Sequence, residues 1–199
     1  MGKIHLIRHG ITEAIKSRVY YGHTDVPLSS EGIDRIVDLV RAGIYPDADG
    51  ARLYTSGLLR AEQTFFLIYG CREHQTDPRL REYNFGEFEM KTHEQLMENK
   101  AYQVWIRDKD GVIPCPGGES RRDFETRVAA GFSDLLNRHK DDENPEESSI
   151  VICHGGVISQ IMNTCFPNCK ENVYQWGPEP GRGYTIHIEG TRPVAFDEI

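Results

Sequence analysis

Two histidines in this chain close short apolar runs, and each is followed by glycine: Leu6-Ile7-Arg8-His9-Gly10 and Val151-Ile152-Cys153-His154-Gly155-Gly156. Neither histidine continues the pattern of the run before it. A third run, Arg52-Leu53-Tyr54-Thr55, stops at Ser56-Gly57, and Arg60 stands in the segment that follows. If the three runs are parallel strands of one sheet, His9, His154, Arg8 and Arg60 can meet at one sheet edge. Two arginines present planar, permanently charged forks matched to phosphate oxygens. Two imidazoles beside them offer one nucleophile and one further donor. The glycines let backbone come close to a bound anion. Capture and transfer of a phosphoryl group is the chemistry such a cluster suits.

Periodicity identifies the elements that must position these groups. Lys3–Ile7 is a short β-prone run. Ser29-Ser30-Glu31-Gly32 opens an amphipathic helix with a Ser cap, its apolar positions at Ile33, Ile36, Val37, Val40 and Ile44. After the strand at 52–55, Leu58, Ala61, Phe65 and Ile68 share one helical face. Strand, helix, strand, helix is the grammar of an α/β fold. Residues 71–118 are less regular, with a strand near Glu73–Thr76, a turn at Pro78, and helical pieces around Thr92–Asn99 and Ala101–Arg107. Pro114, Pro116, Gly117 and Gly118 interrupt them. Ser120 then caps a long helix striped by Phe124, Val128, Phe132, Leu135, Leu136 and His139. The acidic stretch 141–147 reads as a solvated loop, Ser149–Cys153 as a buried strand, and Gly155-Gly156 as the start of another helix. Tyr184–Ile188 and Pro193–Phe196 finish as strands. The expectation is one domain over 1–199, a three-layer α/β/α sandwich on a mostly parallel sheet, with 71–118 an insertion shaping the active-site cap. Ligands of such sheets bind beyond the carboxyl ends of the strands.

The chain has 199 residues, 38% hydrophobic and 27% charged, enough for one ordinary core. Its 23 basic and 31 acidic residues leave a net charge of −8, which argues against broad capture of nucleic acid. An anionic ligand must therefore be held by a local cluster of cations. No apolar stretch approaches a membrane span, and the N-terminus runs directly into a strand rather than a signal peptide. Five cysteines without an export signal read as reduced thiols of the cytoplasm. The oligomeric state is left open.

Four motifs, in order, carry a family resemblance over nearly the whole chain. They are Arg8-His9-Gly10-Ile11-Thr12, continued by Arg18, Gly22, Asp25-Val26-Pro27-Leu28-Ser29 and Gly32; Ser56 to Thr64; Leu80-Arg81-Glu82-Tyr83-Asn84-Phe85-Gly86-Glu87; and Cys153-His154-Gly155-Gly156. Together they resemble the histidine phosphatase superfamily, also called phosphoglycerate mutase-like. That resemblance implies a phosphomonoester hydrolase in which His9 attacks phosphorus and becomes a phosphohistidine. Arg8, Arg60 and His154 would hold the phosphoryl oxygens, and Glu82 would protonate the leaving group. It implies no metal and no cofactor, and a small-molecule phosphate ester as partner. Tyr20 to Leu28 looks closest to the bacterial α-ribazole phosphatases of cobalamin assembly, which makes α-ribazole 5′-phosphate the named candidate. Many relatives carry Asn where this chain has Ile15, so one polar contact to phosphate is missing. A cofactor-dependent phosphoglycerate mutase is the alternative, disfavoured because such mutases usually need more sequence to enclose the phosphohistidine. A non-catalytic phospho-ligand module is the other, disfavoured because a binder needs no general acid.

Other residues carry plainer readings. Tyr20, Tyr21, His23 and Tyr83 flank the motifs and are candidates for a substrate pocket or its wall. His5 and His187 lie in strands and are structural, and His74, His93 and His139 belong to the surface. Glu87 and Glu89 compete with Glu82 for the acid role, and register with the motif favours Glu82. Cys153 faces the core, since adjacent strand residues point to opposite faces. Cys165 and Cys169, four apart on a possible helix, lack the second pair of a zinc site. Gly118-Glu119-Ser120 either touches substrate or simply starts a helix.

Overall fold

The computed structural model describes residues 2–139 and 148–199. The acidic stretch expected as a solvated loop lies outside them. Among the described residues six strands form one sheet: β1 (Gly2–Arg8), β2 (Arg52–Thr55), β3 (Gln75–Thr76), β4 (Ser148–Cys153), β5 (Gly183–Glu189) and β6 (Arg192–Glu198), in spatial order β3-β2-β4-β1-β5-β6. The first four in that order run parallel, while β5 and β6 are added antiparallel at the β1 side. The sheet is thus mixed, with its parallel part at the expected strands.

Among the described residues seven α-helices accompany it: α1 (Glu13–Lys16), α2 (Ser30–Arg41), α3 (Leu59–Tyr69), α4 (His93–Leu96), α5 (Lys100–Ile106), α6 (Arg121–Arg138) and α7 (Gly155–Cys165). Alternation along β1 and β4 builds both faces. Ile4, Leu6, Val151 and Cys153 join the core beneath α6 and α7, while Ile7, Ile150 and Ile152 pack against Ala61 and Phe65 of α3. The result is helices on both faces of the sheet, the three layers expected. Cys153 is buried in the core, where burial pushes its thiol pKa up. Both α2 and α6 begin as read: Ser29 and Ser120 accept from backbone N–H groups, Ser120 within a reciprocal capping box with Asp123.

Four expectations need correction. On α2 the buried face is Gly32, Ile36 and Leu39, and Ile33 and Val40 are exposed, because the helix seats on its smallest residue. His139 is buried at the end of α6, where Nε2 meets Ser149 Oγ at 3.0 Å, so it joins α6 to β4. His74 is half-buried, its Nε2 2.8 Å from Glu62 and its ring 4.2 Å from that of Phe65. Helix α7 ends at Cys165, so Cys169 lies beyond it and is exposed. Among the described residues no helix is long and apolar enough to cross a membrane.

Candidate active site

β1, β4 and β2 lie side by side, so their carboxyl ends share an edge. Register sets Arg8 opposite Cys153 and Thr55 opposite Ile152. Backbone bonding continues past the strand ends, His9 N donating to Cys153 O at 3.0 Å and Ser56 N to Ile152 O at 3.2 Å. These bonds lay the two histidines together, ring centroids 5.1 Å apart and edge-on. Both are buried.

The protonation of His9 follows from its neighbours. Its Nδ1 lies 2.7 Å from Gly10 O, and a carbonyl only accepts, so Nδ1 carries the hydrogen. Nε2 is left with the lone pair, and Arg60 Nε donates to it at 3.3 Å. Burial, then Arg60, then Arg8 hold the His9 pKa well below 6.5, against a smaller upward pull from Gly10. His154 is lowered in the same way, by burial and then by Arg60, His9 and Arg8. Two neutral imidazoles therefore sit beside two guanidinium groups.

Arg60 is fully buried in the first turn of α3. Besides His9 it donates to Gly22 O at 2.7 Å and Thr24 O at 3.2 Å, and it lies 4.9 Å over the Tyr21 ring. Arg8 donates from Nη1 to Pro178 O at 2.7 Å. Its Nε, and Nδ1 of His154, are buried without a partner among the described residues. Each such atom costs about 1–3 kcal/mol. A tetrahedral oxyanion beside His9 would supply oxygens to both.

Glu82 enters from the segment between β3 and α4. One carboxylate oxygen accepts from Gly156 N and the other from Tyr83 N, each at 2.9 Å. This explains the paired glycines after His154. A side chain at 155 would press on the Arg8 guanidinium, and one at 156 would strike the Glu82 carboxylate. Glu82 thus reaches the amino end of α7, next to His154. Glu87 is exposed. Glu89 is committed elsewhere, its carboxylate accepting from the N–H groups of His23 at 2.8 Å and Thr24 at 2.5 Å, so it shapes the loop that holds Arg60.

The four candidate pocket residues separate. Tyr21 stands by His9 and Arg60, its ring 6.3 Å from that of His9, with burial raising its phenol pKa. His23 is half-buried, Nε2 has no partner among the described residues, and burial lowers its pKa. Tyr83 is buried in the wall, accepting from Trp105 Nε1 at 3.2 Å and donating to Glu119 O at 2.8 Å. Tyr20 packs against Phe85, Tyr102 and Trp105, its hydroxyl 2.6 Å from that of Tyr102. Glu119 and Ser120 are also structural: Glu119 pairs with Arg127 at 2.6 Å and accepts from Asn84 N, and Ser120 caps α6. Ile15 follows the α1 cap, donating its N–H to Thr12.

Two residues acquire roles that sequence reading did not assign. Ser56 Oγ lies 2.8 Å from His154 Nε2, although Ser56 is inside a quoted motif. Arg127 of α6 donates to the carbonyls of Arg79, Arg81 and Glu82 at 2.7–2.8 Å, clamping the backbone that carries Glu82. Its stripe-neighbouring position gives no local hint of this. Among the described residues no cluster of three or more His, Cys, Asp or Glu could hold a metal.

Comparison with known proteins covers nearly the whole chain. The family model described as histidine phosphatase superfamily (branch 1) matches residues 4–195. The adenosylcobalamin/alpha-ribazole phosphatase of Escherichia coli strain K12 is 32% identical over 192 residues, 94% of this chain and 90% of that one. A protein of Proteus mirabilis named "Probable phosphoglycerate mutase GpmB" is 30% identical over a gapped alignment of 229 positions that spans 100% of this chain and 99% of its own. The crystal structure of the alpha-ribazole phosphatase from Shigella flexneri superposes with a TM-score of 0.79 at 26% identity, covering 96% of this chain and 92% of that one.

Proposed function

The chain belongs to the histidine phosphatase superfamily, branch 1, and from that membership we propose a phosphomonoester hydrolase that works through a phosphohistidine at His9. The observation that carries this reading is the His9 ring: neutral, hydrogen on Nδ1, lone pair on Nε2, among three donors. Arg60 Nε passes from Nε2 to a phosphoryl oxygen as substrate enters, and the freed Nε2 attacks phosphorus as the ester oxygen departs. The positive charge that develops on the imidazole is shared through Nδ1–H with Gly10 O. Arg8, Arg60 and His154 hold the non-bridging oxygens, in the buried surroundings where fixed donors contribute most to rate. Glu82 gives its proton to the leaving oxygen. As a carboxylate it then takes one from the water that cleaves the phosphohistidine, and inorganic phosphate leaves.

Tyr21 and His23 are proposed to meet the leaving group, and residues 71–118 to cap it. The relatives named alpha-ribazole phosphatase make α-ribazole 5′-phosphate the first substrate to try. The relative named as a mutase keeps the second reading open, although its alignment runs over 229 positions against the 199 residues of this chain, so it carries segments that this chain lacks. The position of Glu82 over Gly156 favours an enzyme over a binding module.

Denaturing the protein in alkali after a pulse of radiolabelled ester tests the mechanism. The expected label is acid-labile and base-stable, survives exhaustive chelation, and is absent from His9→Ala, whose circular dichroism is unchanged. Label on Cys153 or a serine overturns it. A panel of α-ribazole 5′-phosphate, sugar phosphates, nucleotides and glycerate phosphates then assigns the substrate. Conversion of 3-phosphoglycerate with a bisphosphate primer would assign a mutase instead.

A further inference from the structure

We propose that Ser56 is a positioning residue that holds His154 in the tautomer bearing hydrogen on Nδ1, so that Nδ1–H is this histidine's donor to the phosphoryl group. The inference rests on the phosphoryl-binding reading of the site and adds to it a residue and an assigned hydrogen.

Ser56 is fully buried and held from several directions. Its N–H donates to Ile152 O at 3.2 Å, and its carbonyl accepts from Arg81 Nε at 3.3 Å. The turn after it is fixed by Thr55, whose hydroxyl accepts from Gly57 N at 3.2 Å and donates to Glu62. The Ser56 hydroxyl is thereby set 2.8 Å from His154 Nε2.

Hydrogen accounting fixes the direction of that bond. Leu58 N approaches Ser56 Oγ at 3.4 Å and uses a lone pair, leaving the hydroxyl hydrogen to be placed. A buried O–H needs an acceptor. Among the described residues, His154 Nε2 is the one acceptor paired with this hydroxyl. If Nε2 carried hydrogen, the hydroxyl hydrogen would have no acceptor. The lone pair on Nδ1 would then face incoming phosphoryl oxygens and repel them. With Ser56 donating to Nε2, Nδ1 carries the hydrogen, and its lack of a protein partner becomes that of a donor awaiting an anion. His9 and His154 then have complementary jobs from one tautomer. The Gly10 carbonyl fixes the first and frees Nε2 to attack, while the Ser56 hydroxyl fixes the second and frees Nδ1–H to bind.

The test is the ring-nitrogen spectrum of protein labelled with ¹⁵N-histidine, with His154 assigned by its loss in His154→Gln. Wild-type protein is expected to show a bare Nε2 and a protonated Nδ1, and Ser56→Thr, which keeps the hydroxyl, to retain those signals. Ser56→Ala should show mixed tautomers. Removing a preorganised donor outright costs about 10²–10³-fold, so loosening one should weaken orthovanadate binding and slow phosphorylation about tenfold. Hydrogen on Nε2 in the wild type, or an unchanged tautomer in Ser56→Ala, overturns the proposal. If the protein hydrolyses no ester at all, the phosphatase reading fails, while the nitrogen spectrum and the vanadate titration still decide the role of Ser56.

Discussion

Gly156→Ala is expected to disable the proposed proton donor while leaving the phosphoryl pocket and the fold in place. The added methyl would fall inside 3.0 Å of one Glu82 carboxylate oxygen, where ordinary contact begins at 3.4 Å, and lie 3.1 Å from the carboxyl carbon. Glu82 is the far end of a flexible side chain, so it yields rather than the helix, and it must retreat by about 1 Å. A misplacement of that size typically costs about 10²-fold in rate, within the roughly 10²–10⁴-fold that general acid catalysis supplies. Stability should hold or rise, since Ala improves on Gly in a helix by up to about 1 kcal/mol. The assay is single-turnover phosphorylation by an alkyl phosphate and by p-nitrophenyl phosphate. An alkoxide needs its proton and p-nitrophenolate does not, so the alkyl rate should collapse while the aryl rate falls clearly less. Gly155→Ala is the comparison: its methyl would lie 3.2 Å from Arg8 Nε and Cζ, asking only a few tenths of an ångström. Because Arg8 is proposed to hold the phosphoryl group of either ester, both rates should drop modestly and together. Undiminished alkyl turnover in Gly156→Ala, or equal losses on both esters, refutes the placement of the acid.

Two further expectations concern stability. Arg127→Met leaves Glu119, mostly buried, without its ionic partner, which should cost about 3–5 kcal/mol. At about 2–4 °C per kcal/mol for a chain of this size, thermal denaturation should show a fall of roughly 10 °C, and Glu119→Gln added to it should recover part of the loss. The pH dependence has a definite sign: burial, then Lys3 and His187, lower the His5 pKa from 6.5 to about 4, so below 6.5 the unfolded chain binds the proton more readily. Stability is fully present above 6.5 and is lost as pH falls toward 4, by about 3 kcal/mol from His5 at roughly 1.4 kcal/mol per unit. Urea titrations across that window should show the midpoint falling, and His5→Gln should flatten the decline; an unchanged slope in the variant would remove His5 from the account.

What was legible in the sequence is what depends on short range. His9, Arg8, Arg60 and His154 could be placed because each sits at or just beyond the end of a strand, and parallel pairing brings strand ends together whatever the loops do. Ser120 was legible as a cap because capping is settled within four residues. The side to which Cys153 points followed from strand alternation alone. Tyr83 and Tyr20 were harder, since an aromatic residue near a motif fits a pocket or its wall equally well in one dimension. Their hydroxyls are spent on Glu119 O and Tyr102, partners supplied from 36 and 82 residues away. His139 read as surface because the helix stripe ends there, and only the return of the chain at Ser149 buries it. The clamp by Arg127 has no local signature, because its acceptors are backbone carbonyls 45 to 48 residues distant.

That clamp bears on how the two halves of the proposed chemistry are held. The groups proposed to handle the phosphoryl stand at or just past the ends of β1 and β4 and at the start of α3, next to the sheet's own hydrogen bonds. Glu82 has no such support, coming from a segment between two three-residue 3-10 turns, Pro78–Leu80 and Gly86–Phe88. Three carbonyls around it accept from one guanidinium, and that guanidinium is oriented in turn by both oxygens of Glu119. The other oxygen contacts of Glu82 are the N–H at the start of α7 and its neighbour at Tyr83. Glu82, the proposed acid, is therefore located from α6 on one side and from α7 on the other, two helices of the same layer that pack on the same core. A substitution that shifts α6 against α7 should move Glu82 relative to His9 without touching His9 itself. Leaving-group dependence is accordingly the property of this protein most exposed to changes far from its sheet edge.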